Sequence, residues 1–210
     1  NAKRVIALLK QCFPLFVALF MYNLIDNMPK FVMEAALSYD NQLYFNALYF
    51  PAQAILLTVG FVYKPLLVRM AQMWADAEKR NRFHLVILAI VAMVIALTLV
   101  VIFLMGWIGI PIMSFMYGLN FERYRTLALL MVVAGGVTAA IDFIYAIITV
   151  LRHAGDVTKI YLICFAVSAV LPVILIKLLG LMGAVVSYLA IMSLLLVLLI
   201  IEYAHIRKRI

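Results

Sequence analysis

Asn23, Asp26, Asn27 and Lys30 recur at i, i+3, i+4 and i+7, so a helix through them carries all four on one face. The surrounding sequence is almost wholly apolar, and a polar face in apolar surroundings is costly unless it meets protein or water. Two readings of this face stand side by side. It lines a polar cavity, or Asp26 and Lys30 close on each other as a local i, i+4 pair near a membrane surface. Glu34 continues the stripe if the helix survives Pro29.

A second, weaker stripe runs through Asn46, Tyr49, Gln53, Gly60 and Lys64 at three- and four-residue steps with one step skipped. Pro51 and Pro65 sit at the two ends of its core. A proline in a membrane helix leaves a backbone carbonyl in need of a partner. The segment is therefore either a cavity-lining helix that moves or a static kink filled by a neighbour. Asp142 is the third site candidate. It precedes Arg152, the basic residue that marks the end of its apolar run, by ten positions, or about 15 Å of helix rise. A carboxylate at that depth must be protonated, paired with a cation or turned to water. It is a candidate for coupling to a proton or sodium gradient, or a structural hydrogen-bonding group. Gly135 and Gly136, two turns earlier, allow another helix to come close.

Other chemistry is hard to find. His84, His153 and His205 fall at expected helix ends, and His153 with Asp156 at i, i+3 matches a capping pair better than a metal site. The Gly106–Gly109 and Gly180–Gly183 pairs are packing or turn glycines and match no phosphate-binding loop. No Ser/His/Asp set or paired acidic site presents itself, so the expectation is no enzyme, no metal and no bound cofactor.

The elements that carry these stripes follow from the apolar runs. About 20 apolar residues cross a bilayer, and the charges delimit six runs, at 11–29, 42–63, 84–105, 126–151, 160–177 and 179–201. The third run is uncharged as far as Phe121, too long for one upright helix. Gly106, Gly109 and Pro111 are expected to break it and leave a short interfacial segment at 107–117 before a turn at Gly118 and Asn120. The fold class is thus all-α, an integral membrane bundle of six spans in one unit, 1–210. At 69% hydrophobic and 12% charged residues, the composition fits no soluble domain.

The net charge of +8 belongs to this topology and does not point to nucleic acid. With the N-terminus inside, cytoplasmic segments hold Lys3, Arg4, Lys10, Lys64, Arg69, Lys79, Arg80, Arg82, Arg152, Lys159, Arg207, Lys208 and Arg209. Outer segments hold Lys30, Arg123, Arg125 and Lys177, and the bias alternates at every loop. Both termini are then expected in the cytoplasm. Cys12 and Cys164 lie inside apolar runs and read as buried small hydrophobes. The sequence begins at Asn1 without a signal-peptide pattern, as a fragment or processed chain would.

One stretch resembles a known family. Lys10-Gln11-Cys12-Phe13-Pro14-Leu15-Phe16 is followed by Asn27-Met28-Pro29-Lys30, Leu37-Ser38, Tyr44-Phe45-Asn46, Phe50-Pro51-Ala52, Lys64-Pro65-Leu66-Leu67 and Trp74. This order and spacing resembles the bacterial polysaccharide-biosynthesis flippases, the Wzx-type branch of the multidrug/oligosaccharidyl-lipid/polysaccharide exporter superfamily. The resemblance is specific from Lys10 to Trp74. It implies two six-helix bundles around a partly cationic cavity, of which this chain matches the second. It also implies a bacterial inner-membrane location and an undecaprenyl-pyrophosphate-linked oligosaccharide as substrate, and Lys30 and Lys64 are candidate contacts for its phosphate charge. Leu43 stands where relatives often carry Gly. The alternative is a cation-coupled small-molecule exporter of the same fold, with Asp26 or Asp142 as coupling carboxylate.

Overall fold

The computed structural model describes residues 2–151 and 154–209, without the side chains of 2–8, 10, 11, 14, 15, 77, 154–156 and 209. The His153–Asp156 pair, and Lys3, Arg4, Lys10, Arg152 and Arg209 of the charge count, lie outside that description. The described residues form α1 (Ala2–Ala36), α2 (Tyr39–Tyr63), α3 (Leu67–Ala75), α4 (Arg80–Leu104), α5 (Ile110–Tyr117), α6 (Arg125–Val150), α7 (Ala154–Leu179) and α8 (Leu181–Arg209), with no strand among them. Five helical stretches, Tyr39–Ala75, Arg80–Tyr117, Glu122–Val150, Val157–Leu179 and Leu181–Lys208, are long and apolar enough to cross a membrane. With its 35 residues, α1 also has the length of a span. The protein is an all-helical, multi-pass membrane bundle.

Short connections force antiparallel neighbours. Ser38, in extended conformation, separates α1 from α2, and its hydroxyl accepts from the Asn41 amide at 2.9 Å. Gly180, with φ of +58°, turns α7 directly into α8. α2 runs unbroken through Pro51, and Pro65 falls in a single 3₁₀ turn, Lys64–Leu66, before the helical path continues as α3. Asp76 then ends that path in extended conformation, its carboxylate accepting from the Glu78 N–H at 3.1 Å and from Lys79 at 2.6 Å. These contacts hold the Asp76 carboxyl below its ordinary range, the Lys79 ammonium first and the backbone N–H second.

The expected break at Gly106–Pro111 takes another form. The chain passes from α4 into α5 through one π-helical turn, Met105–Gly109, so the helical path is continuous to Tyr117. A widened turn frees a carbonyl without ending the helix. Here the Arg125 guanidinium donates to the Gly106 carbonyl. Pro111 sits in the first turn after the π turn, where its missing N–H is tolerated. Gly118, with φ of +64°, ends the path.

α6 is the central post, packed by α2, α4 and α8. Small residues set these approaches. Gly135 faces the backbone of Ala52 so closely that a Cβ would lie 2.6 Å from its Cα, and Gly136 abuts the Thr98 side chain of α4. The two glycines expected to admit one helix admit two. α1 packs chiefly on α7 and then α8, and touches α2 only lightly. A groove therefore runs between α1 and α2, with α6 and α8 behind it. Cys164 is buried as expected, whereas Cys12 is exposed, on a face of α1 that also exposes Phe16, Leu19 and Phe20.

Candidate functional site

The α1 stripe turns into the groove, and its residues bond both along the helix and across to neighbours. The Asn27 amide donates to the Asn23 carbonyl at 2.9 Å, and the Lys30 ammonium donates to the Asn27 side-chain oxygen at 3.2 Å. Lys30 also sits over the ring of Tyr49, 4.3 Å from its centroid. Asp26 takes other partners. The Tyr49 hydroxyl reaches both carboxylate oxygens at 3.0 Å, and the Tyr188 hydroxyl donates to one of them at 2.7 Å. An Asp26–Lys30 ion pair is absent among the described residues. The reason is geometric: two phenols from α2 and α8 occupy the carboxylate, and the ammonium finds an aromatic face one turn on.

Asp26 thereby ties three helices together. Tyr188 is fully buried and stands edge-on to both Tyr49 and Phe45, at centroid distances of 5.6 and 6.3 Å. A buried phenol in an apolar bundle needs a hydrogen-bond acceptor, and Asp26 supplies it.

A second cluster forms toward the far end of the groove. The hydroxyl of buried Tyr63 donates to Asp142 at 2.5 Å, and Lys64 Nζ lies 3.9 Å from the same oxygen. Of the three ways Asp142 could be accommodated at depth, the structure shows a loose cation pair with Lys64, and adds a hydrogen bond from a phenol, both from the end of α2. Lys64 folds back over Gly60, where an added Cβ would lie 3.4 Å from Nζ. Lys64, Asp142, Gly60, Phe61 and Tyr22 line a cavity of about 250 Å³. Ligand pockets for drug-sized molecules run from roughly 300 Å³ upward. The space suits a phosphate-sized group or a few waters, not a whole sugar chain.

No protein-family model, curated protein or solved structure matches this chain. Of the residues singled out in the sequence, Asp26, Asn27, Lys30, Lys64 and Asp142 take part in the two clusters. Asn23, exposed, accepts from Asn27, and half-buried Gln53 hydrogen-bonds Tyr49 one turn away, while Asn46 and Glu34 are exposed. Sequence reasoning missed Tyr22, Tyr63 and Tyr188, and gave Tyr49 no role beyond its place in the α2 stripe. Their signal was present: tyrosines inside apolar helices carry a hydroxyl that must find a partner. Behind the groove, Tyr161 continues the aromatic row, 6.0 Å from both Tyr22 and Tyr145. No group of three His, Cys, Asp or Glu is arranged to hold a metal among the described residues.

Proposed function

We propose that this chain is one half of a transporter that flips a lipid-linked oligosaccharide, with the α1–α2 groove as its share of the passage. The observation that supports the reading is a pair of lysines on α1 and at the end of α2, with Lys64 lining the 250 Å³ cavity. Lys30 lies on Tyr49, and Lys64 is fifteen residues further along the α2 path, about 22 Å by helix rise. Two cations set apart along α1 and α2, in an otherwise apolar bundle, suit a pyrophosphate that must be received and then released. A lipid tail can stay outside such a groove while the polar head passes through. The resemblance of the 10–74 stretch to Wzx-type flippases supports the same substrate class. It also supports a partner half of similar build and a bacterial inner-membrane location with both termini cytoplasmic.

A second reading is a cation-coupled exporter of small molecules. It is favoured by Asp26 and Asp142, two carboxylates on the groove each held by phenol donors. On either reading the proton or sodium gradient is the driving force to test. The deciding experiment is flipping of a labelled undecaprenyl-pyrophosphate-linked oligosaccharide in vesicles containing this chain and its partner half. Flipping above empty vesicles is expected. A rate equal to empty vesicles, alongside export of small molecules driven by a proton or sodium gradient, would replace the first reading by the second.

A further inference from the structure

A larger cavity, about 480 Å³, lies at the end of the bundle where α2 and α6 begin and α7 turns into α8. It is separate from the groove residues described above. Its polar lining residues include Arg123, Asn41 and Thr126, and its apolar ones Leu127, Leu179 and Met182. Arg123 is exposed and has no carboxylate within 4 Å among the described residues, because Glu122 is taken by Arg125 at 3.8 Å. Its nearest aromatic partner is the Tyr124 ring, 6.0 Å away, and that ring packs on Tyr44 at 4.7 Å. An unpaired guanidinium beside amide and hydroxyl donors, backed by aliphatic side chains at the ends of membrane spans, is an amphipathic receptor.

We propose that this cavity holds the head group of an anionic phospholipid, with Arg123 bonded to its phosphodiester. A guanidinium presents two parallel N–H donors to phosphate oxygens. Asn41 and Thr126 line the same cavity and supply further hydrogen-bonding groups for the glycerol and phosphate oxygens. Leu179 and Met182, both exposed at the α7–α8 turn, receive the start of an acyl chain. The volume falls within the roughly 300–1,000 Å³ of small-molecule sites. Free phosphate satisfies Arg123 but leaves the aliphatic wall without a partner, so the lipid is the source the lining favours. The bound lipid would brace the starts of α2, α6 and α8 against one another, whatever the groove transports.

The test is binding of phosphatidylglycerol, phosphatidylcholine and inorganic phosphate to the purified, delipidated 210-residue chain in detergent, read by native mass spectrometry. Saturable binding of one phosphatidylglycerol is expected, weakened at least about tenfold in Arg123→Gln, the loss of one charge-assisted contact. Arg123→Lys should keep part of it, and Lys208→Gln, which removes a charge from the last turn of α8, should keep all of it. Met182→Trp, which crowds the apolar side, should weaken binding with helicity unchanged, and it decides the matter if Arg123→Gln does not fold. Equal affinity of the wild type and the folded Arg123 or Met182 variants would overturn the proposal. Inorganic phosphate binding as tightly as phosphatidylglycerol would overturn the assignment to lipid.

Discussion

Tyr63 donates to Asp142 at 2.5 Å across 79 positions of sequence, and the next residue, Lys64, reaches the same oxygen only at 3.9 Å. The phenol is the closer partner of the carboxylate, and the ammonium completes a loose ion pair. Tyr63 is buried, while the Lys64 side chain is 64% exposed. Tyr63→Phe should therefore destabilise the bundle by about 1.5–3 kcal/mol, as expected for a hydrogen bond to a charged group. Lys64→Gln should cost less than about 1 kcal/mol, because a loose, exposed pair contributes little. Chemical unfolding of both variants in one detergent checks the order, and the reverse order would show the ion pair to be the main tie.

Asp26 and Tyr188 come from opposite ends of the sequence, and their 2.7 Å bond joins α1 to α8. Asp26→Ala leaves the buried Tyr188 hydroxyl without this acceptor, a cost of about 1–3 kcal/mol. Tyr188→Phe in the same background removes the stranded group, so the double variant should be at least as stable as Asp26→Ala. A double-mutant cycle on unfolding measures the coupling. Strict additivity would mean that the bond does not stabilise the bundle.

Close helix approach makes a third contrast. A Cβ at Gly135 would lie 2.6 Å from the Ala52 Cα, a backbone atom, whereas at Gly136 it meets the side chain of Thr98. Backbone moves only if the helix moves. Gly135→Ala and Gly136→Ala should each cost about 1–3 kcal/mol of overpacking, the first against the α2 backbone and the second because every staggered rotamer of Thr98 leaves a γ atom in the way. Thermal unfolding of the two variants provides the comparison.

These contrasts indicate what was legible beforehand. The spacing of Asn23, Asp26, Asn27 and Lys30 showed a shared face because helical period is a local property. The apolar runs showed a membrane bundle for the same reason. What pairs with Asp26 was not readable, since Tyr188 is 162 positions away and a tyrosine in an apolar run counts as apolar. Local spacing offered Lys30 as the partner instead, and tertiary packing overrode it. Glycines and a proline at 106–111 read as a break, but a donor nineteen positions on, Arg125, compensates the freed carbonyl and the helix continues as a π turn.

The turn at Asp76 offers a pH test outside the spans. Its carboxyl is held below the ordinary 3.8 by Lys79 and the Glu78 N–H. A depressed folded pKa means the contribution is present above the unfolded value and is lost as pH falls through the folded one. Amide exchange at Glu78 should thus stay protected at pH 5 and rise, relative to the intrinsic rate, only below about pH 4. In Asp76→Asn that rise should vanish. Persistence of the same titration in the variant would assign it to another group.

The charge bias makes a topological prediction that bears on the proposed orientation. Cysteines placed in 76–82 should react with an impermeant reagent only from the cytoplasmic side, and those in 118–122 only from outside. The opposite pattern would invert the bundle and with it the direction of the groove.

Lys30 and Lys64 give the decisive test of the groove. Lys30 is held over Tyr49 at 4.3 Å and bonded to Asn27, while Lys64 lies on the 250 Å³ cavity beside Asp142. If the groove passes a pyrophosphate, each ammonium serves it as a point charge. Lys30→Gln or Lys64→Gln, made in the chain assembled with its partner half, should cut flipping per inserted molecule by about tenfold or more, the loss of one charge-assisted contact. Arg at either position keeps the charge and should retain more activity than Gln. The plain alternative is that both lysines reach toward the membrane surfaces and serve only topology. Under it, the Gln variants lose flipping only in proportion to lost insertion. Flipping normalised to inserted protein separates the two, and normal rates in both Gln variants would remove these lysines from the passage.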